Sequence, residues 1–385
     1  QQEEKIMYLL PKPKTIKEQD GQMLLCHSTH IVMTKEVAET EMHAAKRLQE
    51  AIRQETGLIL PFSVGEVREG DLSLGIAKTL PEQTYEITID EKGGQISGGD
   101  GAGVLYGVET FCQIVQQCGG ILPCVQIQDA PDMPNRGYYF DQTRGRVLKL
   151  EELKKIADRM CRYKLNQLQL YVEHTYLFRD FSEMWRDQTP LTAEEIRELD
   201  SYCRERHIEL VPSLASFGHL CTLLSTKTYG DLCEMEDSWK EPFSFWNRMR
   251  YHTINVSDER SLPLIKKMIA EYMQLFSSNK FNICADETFC LGKYKSKKLA
   301  EERGVHRLYI DYVKELAQFL VENGKIPMFW GDIIWNSPEL MKELPESMIC
   351  LNWGYAPEQR EDETRAIAQT GAVQYLCPGD RKSVV

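Results

Sequence analysis

One repeating unit of the fold can be read between His306 and Trp330, where the chain runs HRLYIDYVKELAQFLVENGKIPMFW. The spacing of its apolar residues predicts a helix over 306–322, because they fall on a single stripe. The residues of this stripe are Leu308, Tyr312, Leu316 and Leu320. A short apolar run at 327–330 follows, which is typical of a strand covered on both faces. A helix that leads into a buried strand indicates a βαβ repeat.

The same alternation extends over the chain after Arg136. Short apolar runs without a polar face predict strands at 137–141, 167–172, 208–214, 281–285, 327–330, 348–353 and 373–377. Helical patterns lie between them, and one opens at Thr192-Ala-Glu-Glu195 with the spacing of a capping box. This order favours an α/β protein with a (β/α)8 TIM barrel over an open, doubly wound sheet. Because only seven strands are visible, the barrel is expected to be truncated before its eighth strand.

Residues 1–130 follow a different pattern and predict a small α+β domain. Strands are expected at 31–33, 72–76 and 85–90, an amphipathic helix at about 39–55, and a further helix from the turn Gly99-Asp-Gly-Ala-Gly103 to Gln117. The passage Asp129-Ala-Pro-Asp-Met-Pro134 ends this domain, since each proline restricts the residue before it. The barrel is therefore expected over 131–379, followed by a non-native tail at 380–385, which has no apolar periodicity.

The composition of the chain limits the classes of binding partner and the cellular compartments that can be expected. The 385 residues carry a net charge of -12, which disfavours nucleic acid and anionic membranes and favours neutral molecules such as sugars. No run approaches the roughly 20 apolar residues of a membrane span, and the start Gln1-Gln2-Glu3-Glu4-Lys5 is unlike a signal peptide.

The 12 cysteines contain no CxxC pair and favour a reducing, cytoplasmic location, although a secreted or periplasmic one stays open because a leader could have been removed. No cofactor and no metal site are predicted, since no Cys/His spacing supports one, and a homodimer stays open.

The active site of such a barrel forms at the carboxyl ends of its strands, so polar and aromatic residues at these positions are the candidates. In chain order the candidates are Arg136, Asp141, Glu173, His174, His219, Asp286, Glu287, Trp330, Asp332, Trp353 and Tyr355.

The pair Asp286-Glu287 is central among them. Two adjacent carboxylates repel each other, so one pKa rises while the other stays low, and a proton donor and an anion coexist at neutral pH. The alternative is a solvated strand end. Trp330 and Trp353 offer flat faces to a sugar ring, although barrel packing would also explain them. The forked donors of Arg136 suit vicinal hydroxyls or, alternatively, a structural ion pair.

The roles of His174, His219 and Tyr355 stay open, since each could line the pocket or serve the structure.

Two sequence motifs resemble the family 20 glycoside hydrolases, the β-N-acetylhexosaminidases. They are Asp286-Glu287-Thr-Phe after an apolar strand and Arg136-Gly before the first barrel strand. The N-terminal segments 99–111 and 121–129 resemble the accessory domain of that family. The Asp-Glu-Thr-Phe and Ser-Phe-Gly-His forms are similar to the hexosaminidase D-like branch.

The resemblance implies a retaining enzyme in which Glu287 is the general acid/base and Asp286 orients the 2-acetamido group of the substrate. The acetamido oxygen attacks C1 and gives an oxazolinium intermediate, so no carboxylate of the enzyme is the nucleophile. By the same resemblance Arg136 binds sugar hydroxyls, Trp330 and Trp353 wall the acetamido pocket, and Tyr355 donates to the acetamido oxygen. The chain departs from many relatives at 281–285, Phe-Asn-Ile-Cys-Ala, where they carry a histidine and glycines.

Three other functions are compatible with the residues. A barrel glycosidase of another family would use the two carboxylates directly. A catalytically silent carbohydrate-binding protein would keep the pocket, although both acids are present here. A metal-dependent hydrolase would use His174, His219 and Asp286, which the absence of an HxH pair disfavours. The preference for GlcNAc or GalNAc, the linkage and the aglycone stay open.

Overall fold

A computed structural model of the protein describes residues 7–356, 358 and 360–379. The predicted tail at 380–385 lies outside these residues. The chain divides into two compact units, of which the first runs through Tyr138 and also includes Glu151–Gln167 and Ser201–Glu209. The second contains Tyr139–Leu150, Leu168–Asp200 and the described residues from Leu210 onward. The domain boundary near residue 130 stays a prediction.

The first unit contains a mixed sheet that, within the described residues, has seven strands. Their order across the sheet is β1-β7-β5-β6-β4-β2-β3, with β2, β3, β4 and β6 parallel and the pairs that involve β1, β5 and β7 antiparallel. The strands are β1 (Thr15–Leu24), β2 (Ile31–Met33), β3 (Phe62–Val64), β4 (Leu72–Ile76), β5 (Tyr85–Asp90), β6 (Gly93–Gly98) and β7 (Ile121–Asp129). The helices before β7 are α1 (Lys35–Thr40), α2 (Met42–Thr56) and α3 (Gly101–Cys118).

The glycine-rich turn at 99–103 begins α3, as predicted. The Asp100 side chain caps the helix by accepting the Gly103 N–H at 2.7 Å. A Cβ on Gly98 would lie 2.2 Å from the backbone nitrogen of Val104, so the strand and the helix can approach this closely only at glycine. The helix predicted at 39–55 is divided into α1 and α2, because Glu41 at the junction leaves the helical conformation.

The second sheet follows chain order, β8 to β14, within the described residues. Strands β10 to β14 pair in parallel. The seven strands are β8 (Gly137–Asp141), β9 (Gln167–Val172), β10 (Glu209–Leu214), β11 (Lys280–Asn282), β12 (Ile326–Trp330), β13 (Ile349–Gly354) and β14 (Val373–Pro378). An unbroken chain order is that of a singly wound barrel sheet rather than a doubly wound one.

Helices separate these strands. They are α4 (Leu150–Arg162), α5 (Ser182–Trp185), α6 (Ala193–Arg204), α7 (Cys221–Leu224), α8 (Phe245–Arg250), α9 (Ser261–Met273), α10 (Lys297–Arg303), α11 (Val305–Glu322) and α12 (Glu361–Gln369). The predicted stripe of α11 is buried, with Leu316 and Leu320 fully enclosed. None of the helices in the described ranges combines the length and the apolar character that a bilayer crossing demands.

One predicted strand was too long. The prediction placed the fourth strand at 281–285, whereas β11 ends at Asn282. Cys284 and Ala285 have φ values of 58° and 63°, and this left-handed backbone cannot continue a strand. The chain therefore turns sharply just before the acid pair.

Candidate active site

The acid pair meets a histidine at the end of β11. The Nε2 atom of His219 lies 3.3 Å from Oδ2 of Asp286 and 3.3 Å from Oε2 of Glu287. These are ion-pair contacts without the alignment of a hydrogen bond. The ring of His219 is 2 % exposed, whereas the side chains of Asp286 and Glu287 are 20 % and 25 % exposed. The imidazole is thus buried, and solvent or a ligand can reach both carboxylates.

The backbone around this cluster is strained. His219 and Glu287 have φ values of 59° and 48°, so both adopt the left-handed conformation like Cys284 and Ala285. Each such residue costs on the order of 1–3 kcal/mol and persists only where the surrounding structure enforces it. Strain of this kind concentrates at functional sites.

Two contacts enforce that backbone. The buried hydroxyl of Tyr309 on α11 donates to the carbonyl of Ala285 at 3.0 Å. Gly218 passes so close to the acid pair that a Cβ there would lie 2.5 Å from the carbonyl oxygen of Asp286. The glycine of the Ser-Phe-Gly-His sequence is therefore required for this close approach.

The charges of the cluster are coupled. Burial opposes a charged His219, but the negative charge of Asp286 outweighs it and raises the pKa of His219 from 6.5 to about 10. Burial likewise opposes a charged Asp286, yet His219 lowers the pKa of this carboxyl below its usual range. Burial and the charge of Asp286 raise the pKa of Asp332 well above its usual range. These shifts favour a carboxylate at Asp286, an imidazolium at His219 and a neutral carboxyl group at Asp332.

Asp332 also supports the acid pair through the backbone. Its Oδ2 atom accepts the backbone N–H of Glu287 at 3.0 Å. Within the described part of the chain, several buried polar atoms here lack hydrogen-bond partners, namely Oδ1 of Asp332, Oδ1 of Asp286, Nδ1 of His219 and Nε1 of Trp335. Buried polar atoms are rarely unpaired in proteins, so their concentration is typical of a site for a polar ligand.

Glu173 lies after β9 in a second charged cluster. Its carboxylate is 3 % exposed and accepts from the hydroxyl of Tyr171 and from Nη2 of Arg248, both at 2.9 Å. Nε of Arg144 donates to Oδ2 of Asp141 at 2.7 Å and lies 3.9 Å from Glu173. Since protein groups contact both oxygens of Glu173, this residue positions its neighbours.

His174 does not join the acid pair. Its Nδ1 atom lies 3.2 Å from Oγ1 of Thr222 and 4.0 Å from Glu173. Burial lowers its pKa, which favours a neutral ring. The contacts of His174 are those of a structural residue.

The assignment of Arg136 to sugar binding requires correction. Arg136 precedes β8 and is thus at the amino end of the strand, whereas the acid pair follows the carboxyl end of β11. Its guanidinium donates to the carbonyl of Lys164 at 2.8 Å, to Gln83 at 2.9 Å and to the hydroxyl of Tyr106 at 3.1 Å. These acceptors belong to the first compact unit, so Arg136 is a structural residue of that unit.

The aromatic candidates belong to two clusters. Trp330 is 8 % exposed and packs edge-on against Tyr139 at 4.9 Å between ring centroids. Trp353 instead contacts Trp335 at 5.9 Å and Tyr355 at 5.2 Å, and Tyr355 is 57 % exposed. Trp330 is therefore largely a packing residue, while the other three rings form an accessible aromatic group.

Sequence reasoning missed several residues of this site. Arg144 lies just beyond the carboxyl end of β8, and the criterion that selected Asp141 also applies to it. Trp335 follows β12 in the same way. Arg248, by contrast, lies within the long connection between β10 and β11, where no sequence pattern marks it.

His219, Asp286 and Glu287 also form a possible metal-binding group. Their ligand atoms lie within 4.8 Å of one another, and no other such group of histidine, cysteine and acidic residues occurs among the described residues. A metal would require a neutral imidazole, but the raised pKa of His219 favours the imidazolium, which repels cations. The charge balance of the cluster therefore fits an acid pair better than a metal centre.

A sheet in singly wound order with an acid pair after one of its strands is an arrangement that barrel glycoside hydrolases use. The model of "Glycosyl hydrolase family 20, catalytic domain" matches residues 134–382, and that of "Glycosyl hydrolase family 20, domain 2" matches residues 7–130. The chain belongs to glycosyl hydrolase family 20, which confirms the resemblance seen in the sequence.

The relatives include a β-hexosaminidase of Porphyromonas gingivalis, 24% identical over 85% of this chain and 45% of its own length. Another, from Vibrio furnissii, is 26% identical over 72% of this chain and 48% of its own length. The chain thus spans about half the length of these relatives.

Solved structures share the fold. The exo-β-N-acetylglucosaminidase of Vibrio harveyi in complex with N-acetylglucosamine gives a TM-score of 0.79 at 20% identity, over 96% of this chain and 60% of the other. The similarity to the hexosaminidase D-like branch stays a prediction.

Proposed function

We propose that the protein is a retaining exo-β-N-acetylhexosaminidase that removes terminal β-linked GlcNAc or GalNAc. One observation carries the proposal: Asp286 and Glu287 present accessible carboxyl groups at equal distance from a single buried imidazole ring, that of His219. The positive charge keeps Asp286 ionised, and the shared contact fixes the two acids relative to each other. Such a pair suits one residue that holds the substrate amide and one that transfers a proton.

In the proposed reaction, Asp286 accepts the N–H of the 2-acetamido group and so orients it. The acetamido oxygen bonds to C1 as the bond from C1 to the glycosidic oxygen breaks, and Glu287 gives its proton to the departing oxygen. Water then bonds to C1 as the bond from C1 to the acetamido oxygen breaks, which regenerates the acetamido group, and the water loses a proton to Glu287, which restores the acid. Two inversions at C1 give overall retention.

The surrounding residues support sugar binding. Trp335, Trp353 and Tyr355 form the accessible aromatic group, whose faces suit the C–H surface of a sugar ring. Arg144 takes the hydroxyl-binding role first assigned to Arg136, because it lies at the carboxyl end of its strand. Glu173 positions Arg144 and Arg248.

The relatives support the sugar class. The Vibrio harveyi enzyme is an exo-β-N-acetylglucosaminidase whose structure holds N-acetylglucosamine, and it shares this fold. We extend its substrate class to this protein as part of the proposal, together with a carbohydrate as its partner.

The test compares p-nitrophenyl β-GlcNAc, β-GalNAc and β-glucoside as substrates, with a thiazoline inhibitor. We expect cleavage of the N-acetyl substrates only and inhibition by the thiazoline. Glu287→Gln should lower kcat at least about a hundredfold, because it removes the transferable proton. Glu301→Gln on the exposed surface of α10 is the matched control and should keep the full rate.

Each alternative gives a different outcome. Cleavage of the glucoside at a comparable rate would show direct use of both carboxylates. Binding of GlcNAc without turnover would indicate a carbohydrate-binding protein. Loss of activity on dialysis against a chelator, restored by a divalent cation, would indicate a metal-dependent hydrolase.

A further inference from the structure

Exposed aromatic rings occur on two segments, one in the connection between β10 and β11 and one just after the acid pair. The short helix α8, in the connection between β10 and β11, carries Phe245 and Trp246, which are 59 % and 60 % exposed. Phe289, only two residues after Glu287, is 42 % exposed. Large aromatic side chains at such exposure lose apolar contact with the core, so a group of them suggests a binding surface.

Helix α8 is tied to the candidate active site by contacts to three strand ends. Arg248 donates to Glu173 after β9, and Nη1 of Arg144, after β8, lies 3.0 Å from the sulfur of Met249. The thiol of Cys290 donates to the carbonyl of Arg250 at 3.0 Å, which connects the helix to the segment after β11. The position of α8 is therefore fixed relative to the catalytic residues.

Arg250 joins the two segments through its side chain. Its guanidinium lies 5.1 Å from the ring centroid of Trp246 and 5.9 Å from that of Phe289. Both contacts are cation–π interactions, which hold the guanidinium over the two rings. Arg250 is exposed, and in the described part of the chain its guanidinium makes no hydrogen bond or ion pair. It thus offers donors that no protein group uses.

We propose that Trp246, Arg250 and Phe289 bind the leaving-group sugar, so that the natural substrates are oligosaccharides rather than glycosides of small alcohols. This inference rests on the proposed function and adds the leaving-group side of the same site.

The position and the chemistry of the three side chains indicate that the bound group is a sugar. The leaving group departs from beside Glu287, which gives it a proton, and the segment that continues from Glu287 carries Phe289. Aromatic faces take the C–H surface of a pyranose ring, and guanidinium donors take its hydroxyl oxygens. A purely apolar aglycone would use the rings and leave the donors of Arg250 without a partner.

The test compares kcat/KM for three substrates that share a terminal β-GlcNAc. They are the disaccharide N,N′-diacetylchitobiose, p-nitrophenyl β-GlcNAc and methyl β-GlcNAc. Trp246→Ala and Phe289→Ala should each lower kcat/KM for the disaccharide about tenfold, as expected for the loss of one stacking contact. Both should leave methyl β-GlcNAc within about twofold of wild type, because a methyl group cannot reach the rings.

The Arg250→Gln variant distinguishes a sugar leaving group from an aryl leaving group. We expect it to lower kcat/KM for the disaccharide and to leave the p-nitrophenyl substrate nearly unchanged. Phe243→Ala is the matched control, since Phe243 is 82 % exposed on the same connection but outside the Arg250 contacts. Trp246→Phe keeps a ring and should restore part of the rate. Equal melting temperatures would exclude misfolding as the cause of a loss.

The outcomes separate this inference from the proposed function. If wild type cleaves all three substrates and the variants change all of them equally or none, the leaving-group assignment is wrong while the function stands. A loss of kcat/KM in the variants that is confined to the p-nitrophenyl substrate would show that the three side chains bind an aryl aglycone instead of a sugar. That result would overturn the proposal. If wild type cleaves none of the three, both proposals fail together.

Discussion

The charge of His219 determines the protonation of its neighbours. Its ring is buried with Asp286 and Glu287 on one side, so a proton on the imidazole is stabilised by nearby negative charge despite burial. A neutral ring would leave the negative charge of Asp286 without its compensating partner. Protonation of His219 is thus part of the folded structure as well as of the proposed chemistry.

We expect the stability of the protein to fall as the pH rises from about 6.5 to about 10, because the pKa of His219 is raised to about 10 in the folded state. Stabilisation from a raised pKa is fully present below the unfolded value, 6.5, and is lost as the pH passes through the folded value. Urea unfolding across this range measures the effect, which should be on the order of a few kcal/mol. His219→Gln should flatten the profile, and an equal slope in the variant would contradict the assignment.

Asp332 gives a second prediction, on catalysis. Because burial and Asp286 favour its neutral form, Asp332→Asn should be tolerated, with kcat within about threefold of wild type. Asp332→Ala removes the acceptor of the Glu287 N–H and should lower kcat at least about tenfold by letting the acid shift. Steady-state kinetics on p-nitrophenyl β-GlcNAc measure both. An equal loss of kcat in Asp332→Asn and Asp332→Ala would show that Asp332 acts as a carboxylate.

Local sequence patterns determine several secondary-structure elements. In α6, Thr192 and Glu195 form the capping box that their spacing predicts, with the Thr192 N–H donating to Glu195 at 2.9 Å and the Glu195 N–H donating to Thr192 at 3.2 Å. Both side chains satisfy backbone groups that the first turn of a helix leaves unpaired. The helix start is therefore encoded within four residues.

Thr192→Ala should lower the free energy of unfolding by about 1 kcal/mol without changing kcat or KM, because the cap lies outside the acid pair and its neighbours. Thr192→Ser keeps the hydroxyl and should cost only a few tenths of that amount. Denaturant titration of the three proteins tests this. A change in kcat at unchanged stability would contradict a purely structural role for the cap.

The cysteines provide a prediction for the whole molecule. All twelve lie in the described residues, and none of these residues forms a disulfide. Cys26 is exposed, while most of the others are buried. The hydroxyl of Ser28 lowers the pKa of Cys26, and burial raises the pKa of thiols such as Cys112.

A thiol reagent should therefore modify one cysteine quickly in the native protein and all twelve after denaturation. Cys26→Ser should remove the fast phase and leave the melting temperature unchanged. Fewer than twelve reactive thiols in denaturant without reductant would reveal disulfides and contradict the predicted reducing compartment.

The sequence by itself determined the order of strands and helices after Arg136, the α3 helix after its glycine turn, and the acid pair at the end of a strand. These features depend on periodicity and on residues that are neighbours in the chain, so they can be read without knowing the fold. The strand before Asp286 was predicted too long because its apolar residues favour a strand, and only tertiary contacts such as that of Tyr309 enforce the left-handed turn.

Only the tertiary structure decided which arginine lies near Glu173 and which protonation state the neighbours of His219 favour. Arg136 and Arg144 both flank β8 and look alike in the sequence, but they lie at opposite ends of the strand and meet different acceptors. The pKa of His219 depends on two acidic residues that follow it by more than sixty positions, and Arg250 contacts the rings of Trp246 and Phe289, which lie on separate segments of the chain. Charge and packing act through space, so they are fixed only when the chain has folded.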